Sequence, residues 1–476
     1  MPVASVASEV RVTKKKPGIV LAFLPLIIIS ILLLVGYGLY RIKVDILLVL
    51  AALFAGLMAW FLGNSWQDMQ DGIISSIRKA LPAMLIVLTV GLLIGSWLVS
   101  GTIQMMIYYG IKMISPRFFL VTTCIVSSVV SLVTGTSWGT VGTVGIALIG
   151  VAQGLELPLP IVAGAIISGA YFGDKLSPFS DTTNLAPISA GSNLFDHIRH
   201  MLWTTLPAWT IGLIIYTILG LNLSAGSQTV MPIELLETLN ENFNFNILLL
   251  LPPAMIIFFS MRKFPTIPGM LYSAITAVLL GIILQGAELV ESLNILVNGY
   301  TADTGLPAVD KLLSRGGMIS MMDVTLIAFC AFAFAGIIQA AGMLDVILES
   351  ISRFTRTVGS LVLSTVISCI AVAIMTGSSF LSIIIPAELF SKLFREKDLA
   401  AKNLSRTVED SGTVIVPLIP WSMAAIFMSG TLGVSAGEYL PWAFMNYLGF
   451  LFAIFYGFTG IGIAPRVRDD ETQPGS

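Results

Sequence analysis

Charge is almost absent from long stretches of this chain. Uncharged runs cover 18–40, 46–63, 80–99, 118–155, 201–233, 242–261, 264–287, 324–344, 357–387, 411–437 and 439–465. A helix of about 20 apolar residues crosses a bilayer. Backbone in lipid must satisfy its own hydrogen bonds, so helices are the structures such runs can form. Several runs exceed one crossing, which sets the expectation at roughly eleven to thirteen membrane segments. Of the 476 residues 56 % are hydrophobic and only 11 % charged, against about 25 % charged in soluble domains. The fold class is therefore an all-α polytopic membrane protein. A net charge of −2 offers no basic face for nucleic acid.

The amino terminus carries Lys14-Lys15-Lys16 and then the uncharged run Gly18 to Tyr40, 23 residues long. A cleaved leader has an apolar core of about 7–15 residues and a small-x-small cleavage site. Neither is present, so this run is expected to be a retained first span. Cys124, Cys330 and Cys369 lie far apart in apolar runs and read as buried free thiols. His197 and His200 have a spacing that suits a metal, but no third ligand accompanies them.

With the amino terminus inside, the cytoplasmic segments hold 18 Lys and Arg residues and the opposite side six. Arg11, Lys14, Arg466 and Arg468 belong to the larger group, and Arg41, Lys43, Lys112, Arg117, Lys311 and Arg315 form the smaller. This bias agrees with both termini being cytoplasmic, in a cell membrane.

The chain also resembles itself. Gly95 and Gly101 recur as Gly336 and Gly342 at an offset of 241, and "TGTSW" (134–138) recurs as "TGSSF" (376–380) at an offset of 242. "SDTTNLAP" (180–187) faces "EDSGTVIVP" (409–417), pairing Asp181 with Asp410 and Pro187 with Pro417. The halves, 18–222 and 244–462, are joined by a 223–243 linker containing Glu234, Glu237 and Glu241, which is expected to be external. They begin on opposite sides of the membrane in this orientation. That is the inverted repeat of secondary transporters, which bind near the midplane where helices are interrupted in both halves.

Four interruptions qualify. Thr134-Gly135-Thr136-Ser137 and Thr376-Gly377-Ser378-Ser379 combine a helix-leaving glycine with hydroxyls. Freed carbonyls and hydroxyl oxygens suit a hard cation such as Na⁺; the competing use is a small-residue packing face. The other two are "GAYFGDKLSPFSDTTNLAP" (169–187) and "VEDSGTVIVPLIP" (408–420). Charge inside a membrane domain costs about 2.5–3.5 kcal/mol per residue on insertion scales, so such residues usually face a pathway and have a partner. Asp174 and Lys175 are adjacent and cannot face each other on a helix. Pro178 stops the helix before Asp181, which could cap the next one. Thr182, Thr183 and Asn184 follow it. In the second stretch, Glu409, Asp410, Ser411 and Thr413 are candidates, with Glu409-Asp410 alternatively balancing the basic segment 392–406 at the surface.

"GAYFGDKLSPFSDTTNLA" resembles the signature of the NhaC-type sodium/proton antiporters, which are similar to the broader ion transporter superfamily. That resemblance implies two inverted repeats, each with a re-entrant hairpin and a broken helix. It implies an elevator-type carrier, often dimeric, binding Na⁺ and substrate at the tips. The tips fall on Thr136-Ser137 and Ser378-Ser379, and the broken-helix turns on Asp181 to Asn184 and Asp410 to Thr413. Asp174 and Asp181 are the candidate carboxylates that hold either Na⁺ or a proton; a Na⁺ site at Asp181, Thr136 and Ser137 is one expectation, with Lys175 and Glu409 as substrate or charge partners. Related carriers exchange Na⁺ and lactate against protons and malate, so exchange of a small carboxylate is the alternative cargo. The carrier needs no cofactor beyond the Na⁺ and H⁺ it moves. An intramembrane enzyme is disfavoured: Gly-x-Gly-Asp and His-Glu-x-x-His are both absent.

Overall fold

A computed structural model describes residues 15–37, 39–226 and 233–465. Arg11, Lys14, Arg466 and Arg468 of the charge bias, and 227–232 of the expected linker, lie outside the described residues. The described chain is helical, with an isolated pairing of Leu399 and Pro465 as its only extended contact. Eight helices among the described residues are long and apolar enough to cross a membrane, or up to eleven if each sharply bent pair is one span. The larger count meets the lower end of the expectation. The deficit arises because several uncharged runs are broken into helices too short to cross.

Two compact units form. The first comprises Met1–Lys79 and Phe329–Ile351. Within it, the Gly72 and Gly336 backbones meet so closely that a Cβ on either would lie 2.5 Å from the other's carbonyl oxygen. Lys16 Nζ reaches Glu349 Oε2 at 2.7 Å. The second comprises Ala80–Ala328 and Ser352–Ser476 and holds all the expected site residues. Each unit takes residues from both expected repeats.

In the second unit the interruptions appear as two helix pairs and two broken helices. The first pair is Phe119–Thr134 and the short helix Ser137–Thr140, which continues through a π turn into Ile146–Gly154. The first broken helix is Leu159–Leu176 followed by Asp181–Ala190. Val358–Thr376 and Ser379–Glu396 form the second pair. Ala401–Gly412 and Met423–Leu432 form the second broken helix; the segment Ala401–Leu418, which includes a 3₁₀ turn at Val416–Leu418, is bent by 48° from Met423–Leu432.

The two pairs turn in the same way. Gly135 and Gly377 end their helices at φ 71° and 62°, a region open to glycine but strained for residues with a Cβ. Thr134 and Thr376 donate back to the carbonyls of Val130 and Val372. Thr136 and Ser378 cap the next helices by accepting from Gly139 N and Leu381 N. The offset of 242 thus repeats a turn as well as a spelling.

Close packing explains the small residues. No hydrophobic drive brings helices together in lipid, so backbones must approach closely. Gly169 and Gly173 lie against Phe119–Thr134, where a Cβ would stand 2.2 Å from Cys124 O and 2.4 Å from Ser128 O. Ser131 Oγ donates to Ala170 O at 2.5 Å across this contact. Large apolar side chains on Leu194–Gly226 face outward, as lipid solvation requires, with Ile214 54 % exposed.

Gly173→Val drives a branched side chain into this contact and is expected to reduce the yield of monodisperse protein and its melting temperature. At Gly212 the nearest atom to an added Cβ is 3.7 Å away, so Gly212→Ala is expected to be tolerated. Equal behaviour of the two variants in fluorescence-detected size exclusion refutes the packing argument.

Candidate functional site

Breaking a helix frees backbone groups that lipid cannot satisfy. At the first break the chain itself supplies the partners. Thr183 Oγ1 donates to the carbonyls of Asp174 and Lys175 at 3.0 and 3.2 Å. Asn184 Nδ2 donates to the carbonyls of Pro178 and Ser180, and Ser177 Oγ donates to Leu132 O at 2.8 Å. Ser180, rather than Asp181, caps the second part by accepting from Thr183 N. Thr182 Oγ1 lies 3.2 Å from Ser180 Oγ. Thr183 and Asn184 therefore hold the break in shape.

The second break runs from Thr413 to Ser422. Ser422 caps its second part at Ala425 N, Asn446 Nδ2 donates to Val414 O and Tyr439 Oη to Pro417 O. Each pair's turn rests on the break of its own half. Gly135 lies against Phe179, and Gly377 O accepts from Met423 N at 3.0 Å. Trp138 of the first pair stacks on Phe427 of the second broken helix, with centroids 4.5 Å apart.

Charged side chains meet where the first parts of the broken helices end. Asp174 stands two residues before Leu176, and Asp410 two residues before Gly412. Relative to the breaks, Asp410 thus corresponds to Asp174. The expected pairing with Asp181 is corrected, because Asp181 begins the part after its break. Pro187 likewise lies inside Asp181–Ala190, whereas Pro417 lies in the break itself. The spelling "SDT" against "EDS" matched residue types across different places in the fold.

Asp174 accepts a hydrogen bond from Ser137 Oγ at 2.7 Å, joining the first pair's turn to the first broken helix. Lys175 points elsewhere, as adjacent helical residues must, and makes a short ion pair with Asp410. Both partners of that pair are fully buried. Glu409, adjacent to Asp410, is also 0 % exposed. The surface charge-balancing alternative for Glu409-Asp410 is therefore corrected. Glu409 lies within electrostatic reach of Lys175 and Asp174, and the Thr182 and Thr413 hydroxyls face it. Neither Glu409 oxygen is in hydrogen-bonding geometry with a donor, and Asp410 Oδ2 and Thr413 Oγ1 also lack one.

Asp181 is exposed and stands outside this buried cluster. Ser411 donates back to Thr407 O at 2.5 Å, Ser378 serves as a cap, and Ser379 is half-buried. Among the described residues no three His, Cys, Asp or Glu side chains converge on one metal position. Hydroxyl and carbonyl oxygens must therefore complete any cation site, and Thr182, Thr413 and Ser137 provide hydroxyls here.

A polar layer was not legible in the sequence. Arg406 is buried on Ala401–Gly412, donating to Gly462 O at 2.8 Å. His197 Nδ1 lies 2.9 Å from Ser405 Oγ and His200 Nε2 lies 3.0 Å from Asn403 Oδ1. The one available signal is a four-residue spacing that places Arg406 and Asp410 on one helix face.

A family model described as the Na⁺/H⁺ antiporter family matches residues 169–461, more than half the chain. An uncharacterized Na⁺/H⁺ antiporter of Haemophilus influenzae is 44 % identical over 94 % of this chain and 98 % of its own. The Na⁺/H⁺ antiporter NhaC of Alkalihalophilus pseudofirmus is 36 % identical over 94 % of this chain and 97 % of its own. A malate-2H⁺/Na⁺-lactate antiporter of Bacillus subtilis is 35 % identical over 88 % of this chain and 90 % of its own.

Removing one partner of a buried ion pair strands the other and costs about 3–5 kcal/mol. Lys175→Met and Asp410→Asn are each expected to lower the melting temperature in detergent. The double variant should lose less than the sum, because each change removes the same pair. Strict additivity of the two losses would show that the pair contributes no coupling.

Proposed function

Because the chain belongs to the Na⁺/H⁺ antiporter family, we propose that it exchanges Na⁺ for protons across the cell membrane by alternating access. The observation that carries this reading is a buried charged cluster at the ends of two broken helices. Asp174, Lys175, Glu409 and Asp410 are all buried there. Charge at such depth persists in membrane proteins where it pairs or serves a pathway. Asp174, Glu409 and Asp410 supply carboxylate oxygens, and Ser137, Thr182 and Thr413 supply hydroxyls. This all-oxygen set suits an alkali cation. Asp181 is assigned no ligand role.

Exchange follows from competition. A carboxylate that holds a proton cannot also hold Na⁺, and a bound cation favours the ionised form. One site open alternately to each side then moves the two ions in opposite directions. The recurring turns at Gly135 and Gly377 support a two-half plan in which each half gates one side. Elevator-type movement, a homodimer and cytoplasmic termini complete the proposal; the first two rest on family resemblance and the third on the charge bias.

The organic-acid alternative finds less support. Lys175, the cation best placed to take a carboxylate, is already paired with Asp410. The test uses purified protein in proteoliposomes containing a pH dye. An external Na⁺ pulse should raise the internal pH, with no requirement for malate or lactate. A signal that appears only with an organic acid would replace the reading. Asp174→Asn should remove most of the Na⁺-driven signal, whereas Asp181→Asn should retain it. The reverse order would return Asp181 to the cation site and remove Asp174 from it.

A further inference from the structure

We propose that Glu409 is the carboxylate that alternately carries the proton and the cation, an assignment that rests on the antiport reading above. Three carboxylates occupy the cluster, and two of them are engaged. Asp410 is paired with Lys175, and Asp174 accepts from Ser137 at 2.7 Å. Glu409 is equally buried, yet neither of its oxygens is in hydrogen-bonding geometry with a donor, the facing Thr182 and Thr413 hydroxyls included. A bare carboxylate at this depth is not stable without a proton or cation on it. Its site is built to accept either: Thr413 Oγ1 and Asp410 Oδ2 are also unpartnered, and the Thr182 hydroxyl faces it from the first broken helix.

Charge counting gives the same result. Two buried cations, Lys175 and Arg406, accompany Asp174, Glu409 and Asp410. With the histidines neutral and every other group ionised, the cluster lacks one positive charge. One proton or one Na⁺ supplies it. The other cations on Ala401–Gly412, Leu194–Gly226 and Ser379–Glu396, namely Lys402, Arg199, Lys392 and Arg395, are not buried in the cluster. Leu194–Gly226 presents His197, held by Ser405 and within electrostatic reach of Lys175, and His200, held by Asn403. Val358–Thr376 contributes the Cys369 thiol beside Ser411. Phe444–Thr459 contributes Tyr456, whose ring lies 6.0 Å from the Arg406 guanidinium. Arg406 donates to Gly462 O and is drawn toward Asp410, one turn along its own helix.

The reaction at Glu409 is a simple replacement. Na⁺ arrives, the O–H bond of the protonated carboxyl breaks, and the proton leaves to the side that is open. Because the two ions compete for one group, the half-saturating Na⁺ concentration should fall as pH rises. In proteoliposomes, Glu409→Gln should reduce Na⁺-driven proton movement to the level of protein-free vesicles. Glu409→Asp keeps the acid but draws it back by one methylene, and should move protons with a higher half-saturating Na⁺ concentration. A second readout needs no transport. NaCl, compared with choline chloride, should raise the melting temperature of the purified wild type and leave that of Glu409→Gln unchanged.

Full Na⁺-driven flux in Glu409→Gln overturns the assignment while leaving antiport intact. A wild type without Na⁺-driven flux removes the antiport reading; Na⁺ stabilisation lost in Glu409→Gln would then still place a cation on Glu409. Should the glutamine variant fail to fold, Glu409→Asp decides, and an unchanged Na⁺ dependence and pH profile overturns the proposal.

Discussion

The pairing of Lys175 with Asp410 is the constraint around which the site is arranged. One residue ends the first part of a broken helix in the first half of the chain, and the other does so in the second half. Neither charge can be left alone at that depth. Each thus makes the other's burial tolerable, and together they fix how the ends of two discontinuous helices face each other. The remaining polar groups are placed around this contact. Asp174, preceding Lys175, is turned toward the first helix pair, and Glu409, preceding Asp410, toward the Thr182 and Thr413 hydroxyls. Successive residues on a helix point about 100° apart. Two adjacent charged residues at each helix end therefore serve two different contacts.

The breaks are stable because their backbone is satisfied locally. Thr183 and Asn184 cover the carbonyls freed at the first, Ser177 ties that break to Leu132 O of Phe119–Thr134, and Asn446 and Tyr439 cover carbonyls at the second. Side chains that read as ion ligands in the sequence are partly spent on this structural task. What remains for a cation is a smaller set: the carboxylates and the Ser137, Thr182 and Thr413 hydroxyls that face them. The glycines at 169 and 173 serve the same end by a different route, bringing Phe119–Thr134 so close that Ser137 can reach Asp174.

Much of this was legible in the sequence, and the divide follows range. The charge-free runs imply helices through a requirement that holds residue by residue. The Thr-Gly turns could be matched across the halves because their geometry needs glycine at one defined position, and both glycines adopt it. The matching of Asp181 with Asp410 failed because spelling carries no information about which side of a break a residue occupies. The first break spans Ser177 to Ser180 and the second Thr413 to Ser422, so alignment by residue type slides across the gap. Burial of Arg406 and Glu409 was hidden for a similar reason. A short helix with a basic start reads as a surface segment until the neighbours that enclose it are known.

The neighbouring roles of Glu409 and Asp410 bear on how ion occupancy could reach the fold. An ion on Glu409 changes the field at Lys175, which lies within reach of both carboxylates. With Glu409 protonated, Asp410 is the stronger attraction for the ammonium. With Glu409 ionised and its cation gone, Lys175 is shared between two negative groups and its hold on Asp410 weakens. A ligand shifts a conformational equilibrium only through a difference in its interaction with the two states. Here that difference has a physical carrier, since the contact that the ion strengthens or weakens is the one that joins the two broken helices. The empty, unprotonated site is then the least stable arrangement in this conformation. Exchange requires in addition that the empty cluster be costlier still between the two conformations, since a carrier that crossed while empty would leak one ion without moving the other.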